Sequence, residues 1–270
     1  MKKFFIIVFW IIAFLYVSTC ILVFVYQKDM MFLPSREMRS VPKDANLKEV
    51  SIVTSDTITL NGWFIDNKSD KTIIFFHGNG GNISYNQERI TLFQSLWVNA
   101  LMIDYRGYGK SEWKIQKEND IYIDGESAYN YVVQRGTKPE NIIIWGQSLG
   151  GAIAINTAQN KPILWTIIES TFTSLDEKSA ELYWFLPTRL MLQFHFRNNE
   201  KIKNITSPVL VIHSSDDEMF DIKNGKKLFE IANNPKKFIE TKGSHNGGFS
   251  KSYEMYKENL EKFLKMNWSK

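Results

Sequence analysis

Cysteine is almost missing from this sequence. Cys20 is the single one in 270 residues, so no intramolecular disulfide can brace the fold. Histidine is scarce too, at positions 77, 195, 213 and 245. None of the four has metal-ligand spacing with the acidic cluster Asp216-Asp217-Glu218, and no metal or other cofactor is expected. Charge of one sign is also lacking: 33 Lys and Arg stand against 29 Asp and Glu. No basic stripe carries interleaved aromatics, which argues against nucleic acid as a partner. The phosphate-cradling pattern G-x-x-x-x-G-K-[ST] does not occur. There is no internal repeat, and no long biased tract of the kind that stays disordered.

What the sequence does have begins at once. Phe4–Tyr26 is 23 residues without a charge. As a helix rising ~1.5 Å per residue it would measure roughly 34 Å, enough to cross a ~30 Å hydrocarbon core. Cleaved signal peptides have shorter apolar cores and small residues at the cut, whereas Ser18 and Thr19 lie inside this run. Val17-Ser18-Thr19-Cys20 only faintly matches a lipidation box. The reading is an uncleaved anchor over residues 1–27 and a linker over 28–46 with Pro34 and Pro42, followed by one α/β domain over 47–270. Lys2 and Lys3 before the run favour a cytoplasmic N-terminus. Lys28, Arg36, Arg39 and Lys43 behind it weaken that bias. The short leading tail still places the domain on the non-cytoplasmic side.

Beyond the anchor, strand and helix patterns alternate. A hairpin is predicted over Lys48–Thr54 and Thr57–Ile65, strands over 71–76, 100–104, 141–145, 163–168, 208–213 and 237–240, and helices over 83–98, 119–135, 150–160, 222–232 and 250–266. This rhythm predicts a mostly parallel eight-stranded sheet with helices on both faces. Residues 176–199 depart from it. Tyr183, Trp184, Phe185, Phe194 and Phe196 make that stretch an aromatic insertion, read as a small helical cap over about 175–200.

The sharpest chemical signal is Gly146-Gln147-Ser148-Leu149-Gly150, a G-x-S-x-G pattern lying between an apolar strand and a helix. Such a serine turns on a strained backbone, and side chains at the glycine positions would collide across the turn. The helix that follows points its N-terminus at developing negative charge. An acyl-transfer serine also needs two N–H donors for its oxyanion. Leu149 should supply one, and Asn79, in the glycine-rich loop His77-Gly78-Asn79-Gly80-Gly81-Asn82, the other. The serine needs a base and an orienting acid. His245, in the polar loop Gly243–Gly248, is the candidate base; His77 and His213 are read as structural, and His195 as a pocket-lining or capping residue. The loop after strand 208–213 offers Asp216 and Asp217 as acids, giving the order Ser148, Asp217, His245.

Together these motifs resemble the α/β-hydrolase superfamily, in particular its branch of single-pass membrane-anchored serine hydrolases. The likeness extends to Asp104-Tyr105-Arg106-Gly107-Tyr108-Gly109-Lys110-Ser111 and to Glu169–Ser174. It implies that the acid follows an H-G-x-x-D pattern and so falls at Asp217. Ser214 replaces the family's glycine, which keeps Asp216 as an alternative. It also implies that Asp104 and Arg106 are structural, and that the enzyme forms an acyl-enzyme from a carboxylic ester or thioester, a small or lipid-like acyl substrate. Two rival expectations remain. One is a serine peptidase of the aminopeptidase kind, with Asp176, Glu177 and Glu181 available to hold an amino terminus. The other is a non-catalytic membrane scaffold.

Overall fold

The structure, a computed structural model, describes residues 1–40 and 46–265. Pro42, Lys43 and Met266 from the expectations above lie outside the described residues. The chain opens with α1 (Lys2–Met31). This is a single helix long and apolar enough to cross a membrane, and its central stretch is exposed. A two-residue strand β1 (Leu33–Pro34) then pairs with β5 (Gly80–Gly81). Arg36 donates to the carbonyls of Ser111 (2.5 Å) and Trp113 (3.2 Å). The stretch expected to be a linker therefore starts as helix and is tied onto the domain by backbone bonds, which leave no periodic mark in a sequence.

The hairpin is β2 (Leu47–Val53) and β3 (Thr59–Ile65). Then come β4 (Thr72–Phe76), α2 (Gln87–Ser95), β6 (Asn99–Ile103), α3 (Glu118–Gln134), β7 (Ile142–Gln147), α4 (Leu149–Ala158) and β8 (Trp165–Glu169). The insertion supplies α5 (Leu175–Leu182), α6 (Thr188–Met191) and α7 (Asn198–Lys201). Last are β9 (Val209–Ser214), α8 (Lys223–Ile231), β10 (Lys236–Thr241), α9 (Gly248–Lys251) and α10 (Tyr253–Lys265). The eight-stranded sheet runs β10-β9-β8-β7-β4-β6-β3-β2, with β3 antiparallel to both its neighbours and the rest parallel.

The central strands are β-branched and buried on both faces, as parallel strands between helix layers must be. Alternate side chains serve opposite cores. Ile74, Phe76, Ile144 and Ile168 pack on one side. Ile73, Phe75, Trp145 and Ile167 pack on the other. The single helix expected over 83–98 is broken in two. Asn82 takes the N–H of Ser84 on its side-chain oxygen (3.0 Å) and caps a 3-10 turn over Ile83–Tyr85 before α2 begins. The closing helix is likewise interrupted, at Ser252 between α9 and α10; the Ser252 hydroxyl donates to the Lys242 carbonyl (2.9 Å).

One buried network holds the sheet's interior. The Glu169 carboxylate accepts from Arg89 (2.6 Å), the Trp145 indole N–H (2.9 Å) and the Tyr256 hydroxyl (2.9 Å). Removing the carboxylate would leave a buried guanidinium and two buried donors without their partner. Glu169→Ala is expected to cost ~3–5 kcal/mol, a drop in Tm of roughly 10 °C, measurable by thermal unfolding.

Candidate active site

Ser148 stands at the turn between β7 and α4 with φ 54° and ψ −118°. That left-handed backbone is costly for a residue with a Cβ, and such strain persists only where surrounding structure enforces it. The flanking glycines permit the turn. A Cβ on Gly146 would come within 2.0 Å of the Gly150 carbonyl oxygen, and a Cβ on Gly150 within 2.0 Å of the Phe76 carbonyl oxygen. Two further bonds fix the corner. The Ser148 N–H donates to the Glu169 carbonyl (2.9 Å), and the Thr171 hydroxyl donates to the Ser148 carbonyl (2.7 Å). These bonds give Glu169–Ser174 a physical role.

The loops after β9 and β10 bring an acid and a base to this serine. His245 Nε2 lies 2.9 Å from Ser148 Oγ, and His245 Nδ1 lies 2.8 Å from Asp217 Oδ2. All three residues are buried. The other oxygen of Asp217 accepts the N–H groups of Met219 (2.9 Å) and Phe220 (2.8 Å). Burial pushes the Asp217 carboxyl upward, but the His245 hydrogen bond, the Phe220 N–H and the nearby imidazoles outweigh it and hold it below the usual carboxylate range. With Asp217 ionised, Nδ1 carries the proton and Nε2 is left to accept from the Ser148 hydroxyl.

Asp216 goes elsewhere. Its carboxylate accepts the Gly243 N–H (3.0 Å) and lies within 4 Å of Lys242 and Lys251. Ser214 explains the departure from the family pattern. Its hydroxyl donates to the Gly243 carbonyl (2.5 Å) and accepts the Asp216 N–H (3.1 Å), lacing the acid loop to the histidine loop.

The side chain of Asn79 does not face the serine. Its amide donates to the Met31 carbonyl (2.6 Å), and its oxygen accepts from Leu33 N–H (3.3 Å) and the Tyr108 hydroxyl (2.9 Å). Its loop nonetheless abuts the serine, for a Cβ on Gly78 would lie 3.6 Å from Ser148 Cβ. Leu149 is the first residue of α4, where backbone N–H groups have no helical acceptor.

The other histidines fall outside this chain of bonds. His195 Nδ1 meets Asp176 at 2.9 Å in the cap. His213 Nε2 donates to the Phe220 carbonyl (2.7 Å), bracing the loop that carries Asp217. His77 is fully buried and stacked on Tyr105, and burial lowers its pKa to about 4 despite a bond to the Gly78 carbonyl. Folding must therefore keep it neutral. The stability this confers is complete above the unfolded value near 6.5 and is lost as pH falls towards about 4. The loss should reach about 3 kcal/mol, read as a smaller fall in the free energy of chemical unfolding between pH 6.5 and 4 in His77→Asn than in wild type, the buried His213 contributing to both.

Two contacts were not foreseen from sequence: Glu218 accepts the His245 N–H (2.9 Å), and the Phe220 ring meets His245 edge-on at 5.3 Å. The adjacency of Glu218 to the two aspartates was the one available signal. Asp104 and Arg106 are buried and structural. Asp104 accepts from Ile83 N–H and Asn61, and Arg106 pairs with Asp124 and Asp56.

A family model described as serine aminopeptidase, S33, matches residues 67–194. Alpha/beta hydrolase domain-containing protein 17B of Homo sapiens is 34% identical over 197 residues, 72% of this chain and 66% of that protein. The chain belongs to the α/β-hydrolase superfamily. Uncharacterized protein Rv2307c of Mycobacterium tuberculosis is 29% identical over 241 residues, 85% of either chain. Among solved structures, the Pyrococcus furiosus esterase Pf2001 shares the fold with a TM-score of 0.74 at 23% identity, over 87% of this chain and 97% of its own.

Proposed function

We propose that this α/β-hydrolase is a membrane-anchored serine hydrolase that cleaves carboxylic esters or thioesters through an acyl-enzyme. The observation that carries the proposal is the unbroken bond chain Ser148–His245–Asp217 at a strained turn. Ser148 Oγ attacks the acyl carbon as its proton passes to His245 Nε2, and Asp217 holds the resulting imidazolium through Nδ1–H. Negative charge gathers on the carbonyl oxygen, where the backbone N–H groups of Leu149 and Asn79 would receive it. The tetrahedral species collapses as His245 returns the proton to the departing alcohol or thiol. Water then gives a proton to His245, attacks the acyl-enzyme and releases the acid. No cofactor takes part.

The peptidase alternative is less well supported. Asp176 is paired with His195 and Arg197, Glu177 with Lys227, and Glu181 lies beside Lys178. Each carboxylate available to hold a substrate's amino terminus is thus already engaged. A scaffold would have no use for the strain at Ser148. The charge-free stretch Phe4–Tyr26 within α1 supports a single-pass anchor, and Lys2 and Lys3 support a domain on the non-cytoplasmic side. Assaying the full chain against p-nitrophenyl esters, acyl thioesters and aminoacyl p-nitroanilides tests the reaction. Turnover of esters or thioesters is expected; turnover of the anilides alone would move the peptidase to the front.

A further inference from the structure

The cap leaves a patch of large apolar side chains in the open. Trp184 is 83% exposed and Leu190 86%, and Leu182, Tyr183 and Phe185 are each about half exposed. A contiguous apolar patch of this kind marks an interaction surface. What covers it follows from its attachment to α1. The Tyr16 hydroxyl donates to the Phe185 carbonyl (2.9 Å). Gln27, buried, donates to the Met191 carbonyl (3.1 Å) and accepts the Gln193 N–H (2.7 Å), and the Gln193 side chain donates to the Phe24 carbonyl (2.8 Å). The cap is therefore clipped along the last half of the apolar helix. Tyr16 and Gln27 are separated by roughly 16 Å of helix, about half a ~30 Å hydrocarbon core. If Gln27, Lys28 and Asp29 mark the interface, Phe185 lies well beneath it.

Between α1 and the cap is a cleft of about 240 Å³, walled by Val23, Met30 and Met31 on one side and by Leu175, Ser179 and Leu182 on the other. Two of its lining residues, Met31 and Lys178, touch residues that neighbour the reaction centre. The Met31 carbonyl accepts from Asn79 of the glycine loop. Lys178 lies over the Phe220 ring, and that ring meets His245. The volume falls short of the ~300–1,000 Å³ that encloses a whole drug-sized ligand, so the cleft suits a segment of a chain whose remainder stays in lipid.

We propose that the cap tip, Leu182–Phe185 with Leu190, sits in the bilayer beside α1, and that the cleft between them receives the acyl chain of a membrane lipid substrate directly from the hydrocarbon phase. This rests on the readings of α1 as a membrane span and of Ser148 as the nucleophile. Glu181 and Arg189 are exposed next to the patch. The long stem of Arg189 can carry its charge toward the headgroups, and Glu181 lies beside Lys178 (3.6 Å), which limits how deeply the tip sinks.

The test uses the full chain in phosphatidylcholine vesicles. With Cys20→Ser as background, spin labels are placed at Trp184→Cys and, separately, at Ile12→Cys in α1. Their accessibility to oxygen and to a water-soluble nickel relaxant is compared. Both labels should favour oxygen. If Ile12 favours oxygen and Trp184 favours nickel, the cap proposal fails while the span stands. If both favour nickel, the span fails and the proposal with it. Dipolar broadening at Trp184 would show a second copy covering the patch, which also overturns the proposal. The cleft is tested by Ser179→Phe, with retained fluorophosphonate labelling as the check on folding. The ratio of kcat/KM for p-nitrophenyl decanoate over butyrate should fall by about tenfold or more, because buried methylenes are displaced. An unchanged ratio would show that the chain does not lie there.

Discussion

Ser148→Ala is expected to lower kcat/KM for ester hydrolysis by ~10⁴-fold or more while leaving the melting temperature nearly unchanged. The change deletes one oxygen at a position whose backbone is already held from outside. The N–H and carbonyl of Ser148 are taken up by Glu169 and Thr171, and the glycines at 146 and 150 clear the turn. Alanine meets the same unfavourable φ as serine, so it adds no new strain. Activity and stability should separate cleanly. Steady-state kinetics on a short p-nitrophenyl ester, run beside a thermal melt, checks both.

The second large effect distinguishes two neighbouring aspartates. Asp217→Asn should lower kcat by about 10⁴-fold, because an amide in place of the carboxylate no longer selects the Nδ1–H tautomer or stabilises the imidazolium. Asp216→Asn, by contrast, should change kcat by no more than about tenfold, since its partners are the Gly243 N–H and two exposed lysines rather than the imidazole. Comparable losses in the two variants would mean that the bond geometry around His245 does not describe the working enzyme. Measuring both at saturating substrate keeps binding effects out of the comparison.

The sheet and most of its helices were legible in the sequence because periodicity reports burial. The runs 141–145 and 163–168 read as strands, the first as a buried parallel one, and the structure forms Ile142–Gln147 and Trp165–Glu169 there, buried throughout nearly their whole length. Turns inside helices were less legible. The break at Asn86 depends on Asn82 capping a 3-10 turn, a local competition that apolar spacing does not record. The strand at Leu33–Pro34 was invisible for another reason: two residues pairing with Gly80–Gly81 through backbone alone leave no side-chain pattern. At the candidate site, G-x-S-x-G and chain order pointed to Ser148, His245 and an acid at 216 or 217, the family resemblance pointed to Asp217, and the structure links Ser148 and Asp217 through His245. Sequence did not reveal what Ser214 does in its unusual place, nor that Asn79 is held by the end of α1, because both are contacts between segments remote in the chain.

Helix α1 is joined to the α/β domain at several points. Met31 and Leu33 hold Asn79, and Gln27 holds the cap. A helix attached in this way does more than lead into the domain, since it forms one wall of the cleft beneath the cap.

Labelling with a fluorophosphonate probe tests the central claim most directly. The full-length wild-type chain should take up the probe covalently and Ser148→Ala should not, with His245→Ala labelling much more slowly than wild type. A folded wild-type protein that takes no label, or a Ser148→Ala variant that labels equally well, would contradict Ser148 as the activated nucleophile.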